Sequence, residues 1–246
     1  AIVDMKFVSA KESLARIELA NKLSQTQGLG SEVVSTEIYD QLIETRKLSA
    51  VADRYKVSVS NESVEEEYNN IVKQYAQGDA EKFKTELENT YSMSPEKFKA
   101  EVITQELEQS GLALWYTKQE ELNTKAYASA NELKGKIDGG QNFDEVATAY
   151  TQDEATKDFA GDSGMIPFND LLPEFRYALN DVKIGDIKLI ASRYGLHIIK
   201  VLELNNDGEN GSKQIHLQQI FVQQEGFTEW LKNQTDGLRV LKLLKF

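Results

Sequence analysis

The chain has 246 residues, room for one large domain or two ordinary ones, and its composition is that of an ordered, helix-leaning, soluble protein. Its net charge of −12 argues against a nucleic-acid partner, because a phosphate-binding face needs an excess of Lys and Arg. It has no cysteine, which excludes disulfides, thiolate metal sites and cysteine nucleophiles and suits an exported protein.

Residues 1–8 read as a short strand or extended lead-in. Ser9 and Glu12 form a capping-box pattern that opens an amphipathic helix to about Thr26. QGLGS (27–31) breaks it. A second helix is predicted over 35–55, with Ile38, Leu42, Leu48, Val51 and Tyr55 at helical spacing. A third carries Val64, Tyr68, Ile71, Val72 and Tyr75, and a fourth, short one carries Phe83 and Leu87. SPEKF (94–98) starts another, with Ser94 as N-cap and Pro95 at the first helical position. Residues 1–122 are therefore read as almost all helix.

The character changes near 123. A helix ends at Gly139–Gly140, and Asn142 and Glu145 open another through Tyr150. Residues 151–164 are polar and turn-rich. GMIPF is a short strand candidate and LPEFRYALN (172–180) a short helix. IGDIKLI and LHIIKVLEL, joined by ASRYG, read as two antiparallel strands. NNDGENGS (205–212) is a turn, and IHLQQIFV alternates like one more strand. GFTEWLKNQ and GLRVLKLLKF read as helix.

The stretch 131–201 resembles the parvulin (rotamase) domain of peptidyl-prolyl isomerases. FDEVATAYTQD (143–153), AGDSG (160–164), LLPEF (171–175), IGDI (184–187) and YGLHIIKV (194–201) follow that family's pattern in order and spacing. The helical half has the rhythm of the chaperone domain that precedes parvulin modules in SurA- and PrsA-type foldases; any antiparallel helical domain is the plainer alternative. The resemblance implies an α+β chain in three parts: a helical chaperone domain at 1–122, a parvulin-like domain with a four-stranded antiparallel sheet at 123–222, and a C-terminal helical segment at 223–246. The last carries Phe227, Trp230, Leu231, Val240, Leu241, Leu244 and Phe246. It is expected to pack back on the helical domain, with a membrane-surface helix as the alternative.

Parvulins begin with a strand containing H-I-L-V. Here the corresponding position, 112–124, is helical in pattern, and KQIHLQQIFV (213–222) supplies the strand late. Antiparallel neighbours need only a short turn between them, so a hairpin can deliver the first strand last. A circularly permuted sheet is therefore expected, against the rival of a second, truncated module. The permuted reading requires 214–222 to pair with 196–204.

By resemblance, the polar centre of the site is Asp153, His197 and Ser192, with Gln219 at the family's first conserved histidine. Leu171, Phe175, Tyr194 and Phe221 line the proline slot. Each has a plainer reading: His197 as a satisfied core histidine, Asp153 as a turn residue, Leu171 and Phe175 as core. His216 points to the opposite strand face from Gln219 and is read as an ordinary strand residue. Gln219 hydrogen-bonds but cannot titrate near neutrality. Ser163 replaces the family's usual Leu.

With two histidines and no HExxH, acidic calcium loop, GxSxG, P-loop or dinucleotide fingerprint, neither a metal nor a small-molecule cofactor is expected. Three functions compete. One is a peptidyl-prolyl isomerase with chaperone activity, acting on unfolded or proline-containing clients outside the cytoplasm, in the periplasm or at the cell surface. The second is a holdase with a weak or inactive parvulin domain, and the third an assembly module that has kept the fold. No segment has the length of a membrane-spanning helix. The chain starts at AIVDMKF without an initiator Met, which leaves room for a signal or membrane anchor ahead of it.

Overall fold

The computed structural model describes residues 2–4, 6–7, 31–91, 93–206 and 213–242. The helix expected over 9–26, most of the turn expected at 205–212, and Leu244 and Phe246 lie outside these residues. The chain divides into two units: Ala1–Leu112 with Thr228–Phe246, and Ala113–Phe227.

The first unit is helical. Helix α1 spans Ser31–Arg54 and buries Tyr39, Leu42, Ile43 and Val51. Ser60 accepts from the Ser63 N–H and caps α2, Asn61–Ala76, whose buried Tyr68, Val72 and Ala76 recur every four residues. Helix α3, Ala80–Tyr91, buries Phe83 and Leu87 against them. Ser94 and Pro95 start α4, Pro95–Phe98, as their order predicts.

That helix does not run on as a plain α-helix. Residues Lys99–Ile103 form a π turn before α5, Thr104–Thr117. The Thr104 N–H reaches back five residues to the Lys99 carbonyl, and its hydroxyl donates to the same oxygen at 2.9 Å. A carbonyl with two donors holds the wide turn open.

The same unit holds a small sheet of β1 (Ile2–Val3) between β2 (Lys6–Phe7) and β7 (Val240–Leu241). Between 223 and 242, helix is expected throughout. Helix α9 occupies Phe227–Asp236, but Val240–Leu241 is a strand paired with β1. Gly237 ends the helix, and the fully buried Val3 draws Val240 into register opposite it. Within this unit Trp230 packs on Tyr55 at 5.1 Å between ring centroids, and Tyr55 donates to Gln234.

In the second unit the end of α5 and a 3₁₀ turn, Glu120–Leu122, occupy the place where a parvulin would begin with a strand. Helices α6 (Thr124–Asp138) and α7 (Phe143–Tyr150) follow, α7 capped by Asn142. Then come β3 (Asp162–Pro167), α8 (Pro173–Ala178), β4 (Ile187–Ala191), β5 (Gly195–Asn205) and β6 (Gln214–Gln223). The sheet order is β3-β6-β5-β4, antiparallel throughout. The late strand thus sits in the centre and pairs with β5 from Gly195↔Gln223 to Asn205↔Gln214, as the permuted reading requires.

The period of two sorts the sheet into faces. Leu196, Ile198, Ile220 and Val222 pack on Leu133 and Ile137 of α6 and Phe143 and Val146 of α7. Ile199, Val201, Ile215 and Leu217 pack on Leu171, on Phe175 of α8 and on Leu179, which caps that helix. His197, Gln219 and Phe221 share that second face, Gln219 opposite Ile199 and His197 opposite Phe221. No helix among the described residues is long and apolar enough to cross a membrane.

Candidate active site

Three elements bring the predicted polar residues together. Strand β5 presents His197, which lies opposite Phe221 of β6, and Gln219 sits two residues back on the same face. The tight β4–β5 turn, closed by the Ser192 N–H to the Gly195 carbonyl at 2.8 Å, supplies Ser192. Residues 151–153 are tied to β6: the Gln152 N–H donates to the Phe221 carbonyl, and the Phe221 N–H to the Thr151 hydroxyl. That anchor aims Asp153 at the sheet. Asp153 also makes a turn of its own, accepting the Ala155 N–H through Oδ1.

The contacts form one directional chain. The Ser192 Oγ lies 2.8 Å from His197 Nε2, and His197 Nδ1 lies 3.1 Å from Gln219 Oε1. Gln219 Nε2 donates to Asp153 Oδ2 at 2.7 Å, and the Thr156 hydroxyl donates to the same oxygen at 2.6 Å. A carboxylate can only accept, so it fixes the amide with Nε2 toward Asp153 and Oε1 toward His197. The Oε1 can only accept, so His197 carries its proton on Nδ1. Its bare Nε2 then accepts a hydrogen bond from the Ser192 hydroxyl, and the Ser192 oxygen accepts the Tyr194 N–H at 3.0 Å.

Burial pushes the His197 pKa down to about 4, against the opposing pull of the Gln219 hydrogen bond and the Asp153 charge. The ring is therefore neutral at physiological pH, as the chain of donors requires. Phe175 meets it edge-on at 4.9 Å, and Phe221 covers it at 4.8 Å with the rings 30° apart. Those apolar walls supply the desolvation.

The remaining predicted residues divide. Leu171 is buried in the cluster around Phe175 and Leu179. Tyr194 brings its backbone to the network, while its half-exposed ring lies under the Arg193 guanidinium. His216 lies on the opposite face, 2.6 Å from Asp162. Burial pushes the Asp162 carboxyl up, but the His216 and Gly164 hydrogen bonds outweigh it and hold it below its ordinary range. Ser163 donates to the Leu217 carbonyl and so ties β3 to β6. No group of His, Cys, Asp and Glu suited to a metal ion occurs among the described residues.

Three contributors escaped the sequence reading. Thr156 stands three residues after Asp153, a spacing that could have marked it as a turn partner. Thr151 gave no signal. Gly161 is held at φ +79°, with the Gln219 N–H donating to its carbonyl at 2.8 Å. A Cβ there would fall 2.0 Å from the Gln219 carbonyl oxygen. The backbone of Gln219 is thus set by a position that only glycine fits.

Residues 84–205 match the PPIC-type PPIASE domain family. The chain contains a parvulin domain. Foldase protein PrsA 2 of Bacillus cereus is 28% identical over 177 residues, covering 67% of this chain and 60% of that protein. Foldase protein PrsA of Caldanaerobacter subterraneus subsp. tengcongensis is 27% identical, covering 69% and 57%. Chaperone SurA of Nitrosospira multiformis is 32% identical over 116 residues, covering 45% and 26%. The chain thus spans about three fifths of the length of the PrsA relatives it matches. A crystal structure of PrsA from Bacillus anthracis aligns over 80% of this chain and 88% of that one, at 23% identity and a TM-score of 0.27. That superposition is weak, and the parvulin assignment stands on the family match and the sheet pairing. The match ends at 205, so β6, which delivers Gln219 and Phe221, lies beyond it.

In this parvulin domain Gln219 does what a neutral imidazole would do in its place. It donates on one side and accepts on the other. It differs in being unable to take up a proton near neutrality.

Proposed function

We infer that the chain is a folding factor whose parvulin domain isomerises X-Pro bonds in polypeptide clients. The supporting observation is the one-way chain Ser192–His197–Gln219–Asp153, set against the rings of Phe175 and Phe221. Isomerisation breaks no bond; it twists an amide over a barrier of roughly 18–20 kcal/mol set by resonance. A site needs an apolar slot for the proline ring and polar groups that favour the twisted amide over the planar one. Leu171, Phe175 and Phe221 are assigned to the slot, Asp153 to the polar centre, and Ser192, His197 and Gln219 to holding that centre in one orientation. Tyr194 is assigned to the rim, where its half-exposed ring meets the residue before proline.

The division of labour follows the expected parts: residues 1–122 with the segment 223–246 hold clients, and 123–222 isomerises them. The resemblance to the PrsA and SurA foldases supports a place of work outside the cytoplasm. Replacing Asp153 or His197 by Ala is expected to lower turnover on a short proline peptide while leaving the fold intact. Wild-type rates in both variants would refute the site.

A second reading rests on Gln219. If catalysis needs a titrating group at that position, the protein is a holdase with an idle parvulin domain. Gln219→His then raises isomerase activity from nothing. If the relay is sufficient as it stands, Gln219→His changes only the pH profile.

A further inference from the structure

The helical unit carries an open apolar groove between α2, α3 and the π turn, about 400 Å³ in volume and within the range of sites that hold small ligands. Its floor is built from the buried Phe83 and Leu87. Its rim carries Tyr75, Tyr91 and Val102, which are 68%, 56% and 40% exposed. Large apolar side chains scattered singly over a surface need no explanation, but three around one concavity do. The π turn is the local cause of one wall, and such turns in helices are frequent at functional sites.

The charge lining the groove has one sign. Glu86 lines it. On the other side of Val102, which borders both, a wider cleft is lined by Asp40, Glu44 and Glu101 with neutral residues between. No Lys or Arg is among the residues lining either one. Lys242 and Lys47 pair with Asp40 and Glu44 from outside, in contacts of which at least one member is well exposed. Exposed pairs of this kind contribute little and exchange readily with an incoming cation.

We propose that this groove is a client-docking site that takes an extended polypeptide segment with a large aliphatic or aromatic anchor flanked by Lys or Arg. The anchor fills the space over Phe83 and Leu87 between the rim tyrosines. The flanking cations lie along Glu86 on one side and along Asp40, Glu44 and Glu101 on the other. Anionic partners such as nucleic acid or acidic lipid are disfavoured at such a wall, and the chain's net charge of −12 adds to the bias. The proposal rests on the client-holding role given above to residues 1–122 and names the groove and the client chemistry that would serve it; with the isomerase centre it shares only the premise that the ligand is polypeptide. It concerns a different site and needs no proline.

The test uses fluorescein-labelled, proline-free peptides and anisotropy titration of the full chain. One peptide has a Leu-Phe anchor between lysines; a second has the same anchor between glutamates; a third has lysines around Ser-Ala. The first should bind at least about tenfold more tightly than either control, and salt should weaken it. Val102→Asp and, independently, Tyr75→Ser should each reduce that affinity about tenfold or more, with circular dichroism and proline-isomerase rate unchanged. Glu86→Lys should narrow the preference for basic flanks. Equal binding of the lysine- and glutamate-flanked peptides would overturn the proposal. So would unchanged affinity in both rim variants, or self-association of the wild type that Val102→Asp abolishes, which would assign the groove to a second copy of the chain. Loss of isomerase activity in Asp153→Ala with peptide binding intact would separate this site from the catalytic one.

Discussion

His197 should make this protein sensitive to acid in a way that can be calculated. In the folded chain its pKa lies at about 4, because the ring is buried between Phe175 and Phe221. In the unfolded chain it returns to the ordinary value of about 6.5. Below that value the unfolded state takes up a proton that the folded state refuses, so stability rises with pH across this window and falls as the solution is acidified. The full contribution is present above about pH 6.5 and is lost progressively down to about 4, at roughly 1.4 kcal/mol per pH unit. The total is about 3 kcal/mol, a large part of a typical domain's stability. Carboxylates titrate in the same range, so the comparison must be internal. Urea unfolding of the wild type and of His197→Gln, measured from pH 7.5 to 4, isolates the term: the wild type should lose about 3 kcal/mol more than the variant. The chain has two histidines, so proton NMR can follow each ring directly. Superimposable pH profiles for the two proteins, or a His197 resonance titrating near 6.5, would refute the reasoning.

Gln219→Leu should leave the Asp153 carboxylate and His197 Nδ1 each short of a partner. Its expected cost is about 1–3 kcal/mol for each group left unsatisfied, with a matching fall in proline-isomerase turnover, read by denaturation and peptide kinetics together. Unchanged turnover would mean the relay is not used. Gly161→Ala should destabilise by more than about 1 kcal/mol, because it forces a Cβ against the Gln219 carbonyl at a left-handed φ. A wild-type urea midpoint would contradict the close approach. Gln219→His should add a pH dependence between about 5 and 8 that the wild type lacks, since imidazole titrates there and an amide does not. A flat profile in both would remove the link between the relay and catalysis.

Much of the second unit could be read from local pattern. YGLHIIKV and HLQQIFV alternate as strands do, and the turn signals between them left a hairpin as the natural connection. The central place of β6 followed because antiparallel neighbours tolerate either order along the chain. The site residues came from family resemblance, and no local pattern could have joined Ser192 to Gln219. The direction of the chain between them was not legible either. It depends on which atom of an amide faces a carboxylate, and that is settled by distances across strands. Val240 and Leu241 were misread as helix because LRVLKLL has helical periodicity. Their pairing with Ile2 and Val3 joins opposite ends of the chain, beyond any window of sequence. The π turn at Lys99–Ile103 hangs on one threonine hydroxyl and one shifted backbone bond, too small a signal to separate from an ordinary helix.

The central claim is that a relay built on Gln219 supports isomerisation. Exchange NMR on a short peptide with one X-Pro bond tests it most directly, because the uncatalysed interconversion takes tens to hundreds of seconds. The account predicts that catalytic amounts of the wild-type chain bring cis and trans resonances into fast mutual exchange, and that Asp153→Ala slows that exchange. Exchange that stays at the uncatalysed rate, with the same preparation suppressing aggregation of an unfolded client, would contradict it and leave the parvulin domain a scaffold.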